Sequence, residues 1–238
     1  MSIPPIPSLE GSRTLPLFPL PLVLFPGAML PLHIFEERYK EMIKDCLDND
    51  RLFGITFLDS KEGWPPPTAR VGCAAFILAT VPLQEGRLNL LTTGVMRYRT
   101  LEYIETKSYL QAKVEFFQDN LTDQDLNELA DQVTTLYRRT IRATQVIQNN
   151  DLTEDELPDD PEELSFSIAS TLQLSTAHRL ELLELISVQA RLERLKKMLQ
   201  GVVGQYELRA AVHEKARTNG HGSHKTLAQL LENDEMTR

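Results

Sequence analysis

Cysteine is scarce in this chain of 238 residues: Cys46 and Cys73 are the only two, and they form no C-x-x-C pair. That excludes a zinc ribbon and a thioredoxin-like redox pair, and the two are expected to be reduced, buried thiols. No stretch approaches 18 consecutive apolar residues, so no transmembrane helix is expected. Neither G-x-x-x-x-G-K-[ST] nor G-x-G-x-x-G occurs, which removes the two common phosphate cradles. H-E-x-x-H, a spaced Cys/His set and a G-x-S-x-G elbow are missing too. Of the five histidines, His221 and His224 come nearest to a ligand pair, but they stand in a Gly-rich stretch without Cys or acid beside them. Ser165 and Ser167 lie in a predicted helix with no lysine or histidine placed to activate them. No catalytic, cofactor-binding or metal-binding residue is therefore expected. Positive charge is also short, 25 Lys and Arg against 34 Asp and Glu, for a net −9 and a pI near 5.1. Such a chain disfavours non-specific nucleic-acid binding. The opening Met1-Ser-Ile-Pro-Pro-Ile-Pro resembles neither a signal nor a transit peptide, and the expected compartment is the cytoplasm.

What is present divides by charge and by pattern. Residues 1–118 carry 12 basic and 13 acidic side chains, whereas residues 119–238 carry 13 and 21. The expected organisation is a β domain over 1–118, a helical domain over 119–217 and a disordered tail over 218–238. Leu110, Ala112, Val114 and Phe116 alternate with Gln111, Lys113 and Glu115, the period of a half-buried strand. Val71–Val81 is apolar on both faces and reads as a central strand. Gln84–Arg87 supplies a turn, Leu88–Thr93 a strand, Gly94 a break, and Val95–Tyr103 a further strand. The opening 15–27 is apolar but punctuated by proline, which predicts short edge strands and tight turns. One helix is expected from Glu36 to Leu47, and the whole suggests a small, partly closed barrel.

The second part is helical. Thr122-Asp-Gln-Asp125 fits a capping box before a helix carrying Leu126, Leu129, Val133, Leu136, Thr140, Ala143 and Ile147. Asp151–Glu163 holds eight acidic residues in thirteen and is expected to be a mobile linker, with Asp160 capping a helix that opens on Pro161. Ser175 starts another helix. Leu185, Val188, Leu192, Leu195, Leu199, Val202 and Tyr206 then form a heptad-like seam, buried within the chain up to Leu199 and offered for self-association from Val202 to Val212. Gly201-Val-Val-Gly204 inside it reads as a close helix contact or a flexible point.

Three further features bear on binding. Arg97 and Arg99 share a strand face, commonly a solvated one flanked by acids and otherwise a reader of phosphate or carboxylate. Arg191, Arg194, Lys196 and Lys197 are balanced by Glu181, Glu184 and Glu193. Trp64, the only tryptophan, precedes Pro65, Pro66 and Pro67 in a loop. It either packs on those prolines as a cap over the barrel or contacts an apolar peptide, so Trp64, Pro65 and Pro66 are the candidate peptide-binding residues.

Leu15-Pro-Leu-Phe-Pro-Leu, Val23-Leu-Phe-Pro-Gly27 and Leu30-Pro-Leu-His-Ile-Phe-Glu-Glu-Arg-Tyr39 closely resemble the start of the amino-terminal domain of the ATP-dependent protease Lon. Val71-Gly-Cys-Ala-Ala, Glu85-Gly-Arg87, Leu91-Thr-Thr-Gly-Val-Met-Arg-Tyr-Arg99, Ser167-Ile-Ala-Ser-Thr-Leu and Arg191-Leu-Glu-Arg-Leu continue the resemblance over roughly 14–200. It implies an α+β fold: a pseudouridine-synthase-and-archaeosine-transglycosylase-like (PUA-like) β-barrel, then a helical bundle ending in a long helix. It also implies a non-catalytic module that binds unfolded or specific polypeptides. The expected protein is a stand-alone one without ATPase or peptidase domains, an adaptor or chaperone-like factor. RNA binding through the PUA-like barrel is the alternative, against which the acidic charge argues.

Overall fold

The computed structural model describes Leu9 and residues 11–58, 68–121, 124–151 and 156–219. In chain order these form β1 (Ser12–Leu20), β2 (Met29–Ile34), α1 (Glu37–Asp48), β3 (Leu52–Phe57), β4 (Val71–Pro82), β5 (Leu88–Ile104), β6 (Gln111–Phe117), α2 (Asn127–Gln148), α3 (Pro161–Thr171), α4 (Thr176–Glu184) and α5 (Val188–Asn219). The fold is α+β, with a mixed six-stranded sheet followed by helices. The loop holding Trp64, Pro65 and Pro66, the Thr122 end of the expected capping box and the tail from residue 220 lie outside the described residues.

The chain forms two compact units. The first is Met1–Ala130 with Leu157–Leu195, and the second is Asp131–Glu156 with Lys196–Arg238. The boundary expected at 118/119 falls inside the first unit.

In that unit the strand order is β2-β5-β4-β3-β1-β6, and β5 also pairs with β6. The pairings β1–β3–β4–β5–β6–β1 therefore return to their start, as a barrel requires, and β2 stands outside this ring on β5. The long β5 makes this possible, because Leu88–Thr93 pairs with β2 while Arg97–Ile104 pairs with β6. Sequence alone divides β5 at Gly94, but the strand continues through it with a register shift at Val95. The short proline-bounded strands expected at 15–20 are likewise one strand. Its Ser12–Pro16 half pairs with β6 and its Leu17–Leu20 half with β3. With each half singly paired, Pro16 and Pro19 can turn their missing donors to the unpaired edge.

The core has two layers, and β4 feeds both. Cys73, Ala75 and Ile77 join Phe18, Ile34, Phe53 and Leu90 beneath α1, which buries Tyr39, Met42, Ile43 and Cys46. Ala74 and Phe76 face the other way, with Leu15, Leu17, Tyr98, Ala112 and Val114. The alternating β6 holds in detail, whereas β4 is buried on both faces only from Val71 to Ile77 and is exposed at Ala79 and Val81.

α3 starts as its sequence predicts, with Pro161 at its first position and the Asp160 side chain accepting the Glu162 and Glu163 N–H groups. Ser175 caps α4 by accepting from His178 N–H. In the second unit, Gln132 meets Lys196 and Arg139 makes a two-point ion pair with Glu207. The partners advance together along α2 and α5, so these helices run side by side in one direction. Leu199 is buried as expected, but Val203 rather than Val202 continues the seam, followed by Ala210. A four-residue step from Leu199 keeps the stripe on one side of an α-helix.

Candidate functional site

The site is built on β2, the outermost strand of the first unit. The turn that leads into it is a G1 bulge. Gly27 has φ +77°, its N–H donates to Gly94 O at 2.9 Å, and Gly94 N–H donates to Ala28 O at 2.9 Å. Gly94 must be glycine here, because a Cβ would lie 2.2 Å from Phe25 O. This bulge sets the phase of β2. Ala28, Leu30 and Leu32 direct their backbone groups at β5, while Met29, Pro31 and His33 direct theirs at the free edge. Among the described residues β2 has no partner but β5. The edge offers the N–H groups of Met29 and His33 and three carbonyls, and Pro31 removes one donor.

Side chains follow the same alternation. Leu30, Leu32 and Ile34 face the core, whereas Met29, Pro31 and His33 face out. Across the outer face, Leu91 stands opposite Pro31, and Ala79 of β4 opposite Leu91. Met29, Val81, Leu91 and Phe35 are all exposed, all but Leu91 by more than half. His33 Nδ1 lies 2.7 Å from Asn89 Oδ1, which places the ring beside Phe35, 5.9 Å between centroids. The result is an apolar, solvent-facing patch bordered by an open strand edge, a surface suited to an extended polypeptide.

Past Ala28 the edge runs into a cavity of about 720 Å³. Pro26, Ala28, Val95 and Phe166 supply its apolar lining, and Asp160, Glu162 and Glu163 of the α3 start supply carboxylates. Burial, with Asp119 nearby adding to it, raises the Glu162 carboxyl above the ordinary range.

Behind the cavity lies a dry ionic node. Asp119 is 3% exposed and holds Arg97, at 2.5 Å, and Arg191 through both its oxygens. Arg97 also donates to Leu183 O and Leu185 O at 3.0 and 2.5 Å, and Arg191 to Ser165 Oγ at 2.7 Å. Both guanidinium groups sit over the Phe166 ring, at 5.1 and 3.8 Å. Burial lowers the Arg97 pKa, opposed by Asp119. With three hydrogen bonds from Arg97 and four from Arg191 directed at protein oxygens, this node holds α3, α4 and the start of α5 against β5. The solvated reading of the Arg97 face thus fails: Arg99 is exposed, but Arg97 reads a carboxylate of its own chain.

Trp64, Pro65 and Pro66 lie outside the described residues. Sequence reasoning missed the β2 patch, although the alternation of Met29, Pro31 and His33 with Leu30, Leu32 and Ile34 carried its signal. Among the described residues no three His, Cys, Asp or Glu side chains cluster as metal ligands, and no helix is long and apolar enough to cross a membrane.

The fold matches a known class. The ATP-dependent protease La (LON) substrate-binding domain model matches residues 14–201, so the chain belongs to that family. It is 27% identical over 212 residues to a Lon protease of Desulfosudis oleivorans, covering 84% of this chain and 26% of that protein. A Lon protease of Aquifex aeolicus is 26% identical over 228 residues, covering 89% and 28%. The chain thus spans about a quarter of the length of these relatives. Among solved structures, the Lon N-terminal domain protein from Xanthomonas campestris superposes with a TM-score of 0.60 at 28% identity, covering 77% of this chain and 96% of that one. The N-terminal domain of Mycobacterium avium complex Lon protease, 16% identical at a TM-score of 0.59, shares the fold.

Proposed function

We propose that this protein is a non-catalytic polypeptide-recognition module, working as an adaptor or chaperone-like factor. It takes extended apolar segments of unfolded chains on the outer face of β2, β5 and β4. The observation that carries this reading is the coincidence of an unpaired strand edge with an exposed apolar face, in a chain of the Lon substrate-binding family. A strand laid beside β2 gains main-chain hydrogen bonds from Met29 and His33, and its alternate side chains gain contact with Met29 and, past Pro31, with Leu91. Pro31 keeps such pairing short and reversible, and it guards the edge against runaway sheet growth.

The test is binding of fluorescein-labelled, unfolded casein to the full chain, followed by fluorescence anisotropy. Leu91→Glu and Met29→Glu place charge on the patch and should weaken binding by about tenfold, equivalent to about 1.4 kcal/mol. Unchanged binding by both variants would remove the patch from the function. Tight, salt-dependent binding of single-stranded RNA, with none of casein, would favour RNA recognition instead.

A further inference from the structure

We propose that the cavity between the Pro26–Ala28 turn and the start of α3 is a subsite for a lysine or arginine side chain, carried by the polypeptide bound along β2. This rests on the reading of β2 as a polypeptide-binding edge and adds a sequence preference to it. Three observations carry it.

The first is continuity. Ala28 lines the cavity and Met29, the next residue, opens the exposed edge. Val95 lines it from β5, two residues beyond the Met29 partner Thr93. An extended chain advances roughly 3.3 Å per residue, so six residues along β2 bring the following side chain to the mouth.

The second is charge. Asp160, Glu162 and Glu163 line the space, and exposed Asp159 stands just ahead of them in the chain. Among the described residues, the Glu162 and Glu163 carboxylates have no hydrogen-bond or ion-pair partner. Three arginines stand near, but none is free to serve them. Arg97 and Arg191 are held by Asp119 and backbone carbonyls, and Arg179 donates to Ser170 O and Leu172 O. Against these three cations stand four carboxylates, Asp119, Asp160, Glu162 and Glu163, before Asp159 is added. The cleft is therefore net acidic, and its half-buried Glu162 carboxylate feels Arg191 and Arg97 only at a distance, without a direct salt bridge.

The third is the apolar lining. Pro26, Ala28, Val95 and Phe166 suit the methylene stem of a lysine or arginine, whose charged end then reaches the carboxylates at the rim. An anionic side chain would meet repulsion from the same groups, and a purely apolar one would leave Glu162 facing hydrocarbon.

The experiment uses the full chain and three labelled peptides that share an apolar, strand-forming core. They differ at one terminal position, which is lysine, norleucine or glutamate. Anisotropy titrations should rank lysine first and glutamate last, with lysine about tenfold tighter than norleucine at low ionic strength. That advantage should shrink as salt screens the carboxylates. Glu163→Gln, at an exposed position, should reduce the lysine advantage, and Glu162→Gln with Glu163→Gln should erase it while leaving norleucine binding intact. Equal binding of the lysine and norleucine peptides, or a lysine advantage that survives both substitutions, would overturn the subsite while leaving the β2 reading standing. Full competition by N-acetyl-lysine amide at the peptide's own concentration would make the cleft a small-cation site and overturn the proposal. Absence of binding by all three peptides, with casein also unbound, would overturn the β2 reading and the subsite together.

Discussion

Asp119 holds two buried arginines, and removal of a carboxylate from such a group leaves positive charge stranded in a dry site. Loss of one partner of a buried ion pair typically costs about 3–5 kcal/mol. Asp119→Ala should therefore lower the urea midpoint by a large margin, measured by circular dichroism. Arg99→Ala, at the exposed neighbour, should leave it nearly unchanged. The thiols give a second expectation. Burial pushes the pKa of Cys46 and of Cys73 from near 9 up to about 12. Neither thiol should react with a disulfide reagent at pH 8 until urea is added. Above pH 9 the unfolded chain releases these protons while the folded chain keeps them. Stability is thus whole below pH 9 and declines as pH rises towards 12, by up to about 1.4 kcal/mol per pH unit for each thiol. A midpoint that is flat from pH 9 to 11 would contradict this. Buried thiols are legible from composition, because cysteine is among the most buried residue types. The role of Asp119 is not, because nothing local to an Asp-Asn pair says that arginines 22 and 72 residues away will converge on it.

α5 shows how far periodicity carries. The stripe Val188, Leu192, Leu195 and Leu199 is buried where the heptad pattern places it, and the pattern slips only when it must choose between Val202 and Val203. Two adjacent valines defeat a count of threes and fours, and only packing decides. Leu195 is fully buried, so Leu195→Ala should cost about 2–5 kcal/mol. Leu208→Ala, at a side chain 68% exposed, should leave the melting temperature unchanged. We propose that Leu208 and Val212 serve self-association. Sedimentation should then show a weaker dimer in Leu208→Ala, and an unaltered monomer in both chains would dismiss that role. Gly201 and Gly204 make no close helix contact, since an added Cβ at either meets nothing within 4 Å beyond the backbone of its own helix. Gly201→Ala should therefore raise stability by up to about 1 kcal/mol through helix propensity alone. β1 and β5 mark the opposite limit. Proline and glycine read as breaks, yet both strands run on, because each can change partner midway and so tolerate a missing donor or an extra residue.

At the scale of the whole molecule, the division of the chain is the question that composition answers least well. The charge shift near residue 119 is real, but α3, α4 and the start of α5 belong to the same compact unit as the strands. A chain ending at residue 118 leaves Arg97 without Asp119 and without the carbonyls of Leu183 and Leu185. We expect such a fragment to show strand-type circular dichroism but no cooperative melting. A sharp thermal transition in it would restore residue 118 as a folding boundary. The class of fold was legible because alternation and helical spacing are local. A partly closed barrel was legible too, but which strands close it was not, because β1 and β6 join residues far apart in sequence.

That ring has a consequence during synthesis. Ser12 of β1 is partnered by Glu115 of β6, about a hundred residues later. At roughly 5–20 residues per second, the first half of β1 leaves the ribosome about 5–20 seconds before its partner exists. For that interval an apolar strand waits with open edges among other nascent chains, and Pro16 and Pro19 spoil it as a template for any strand but its own.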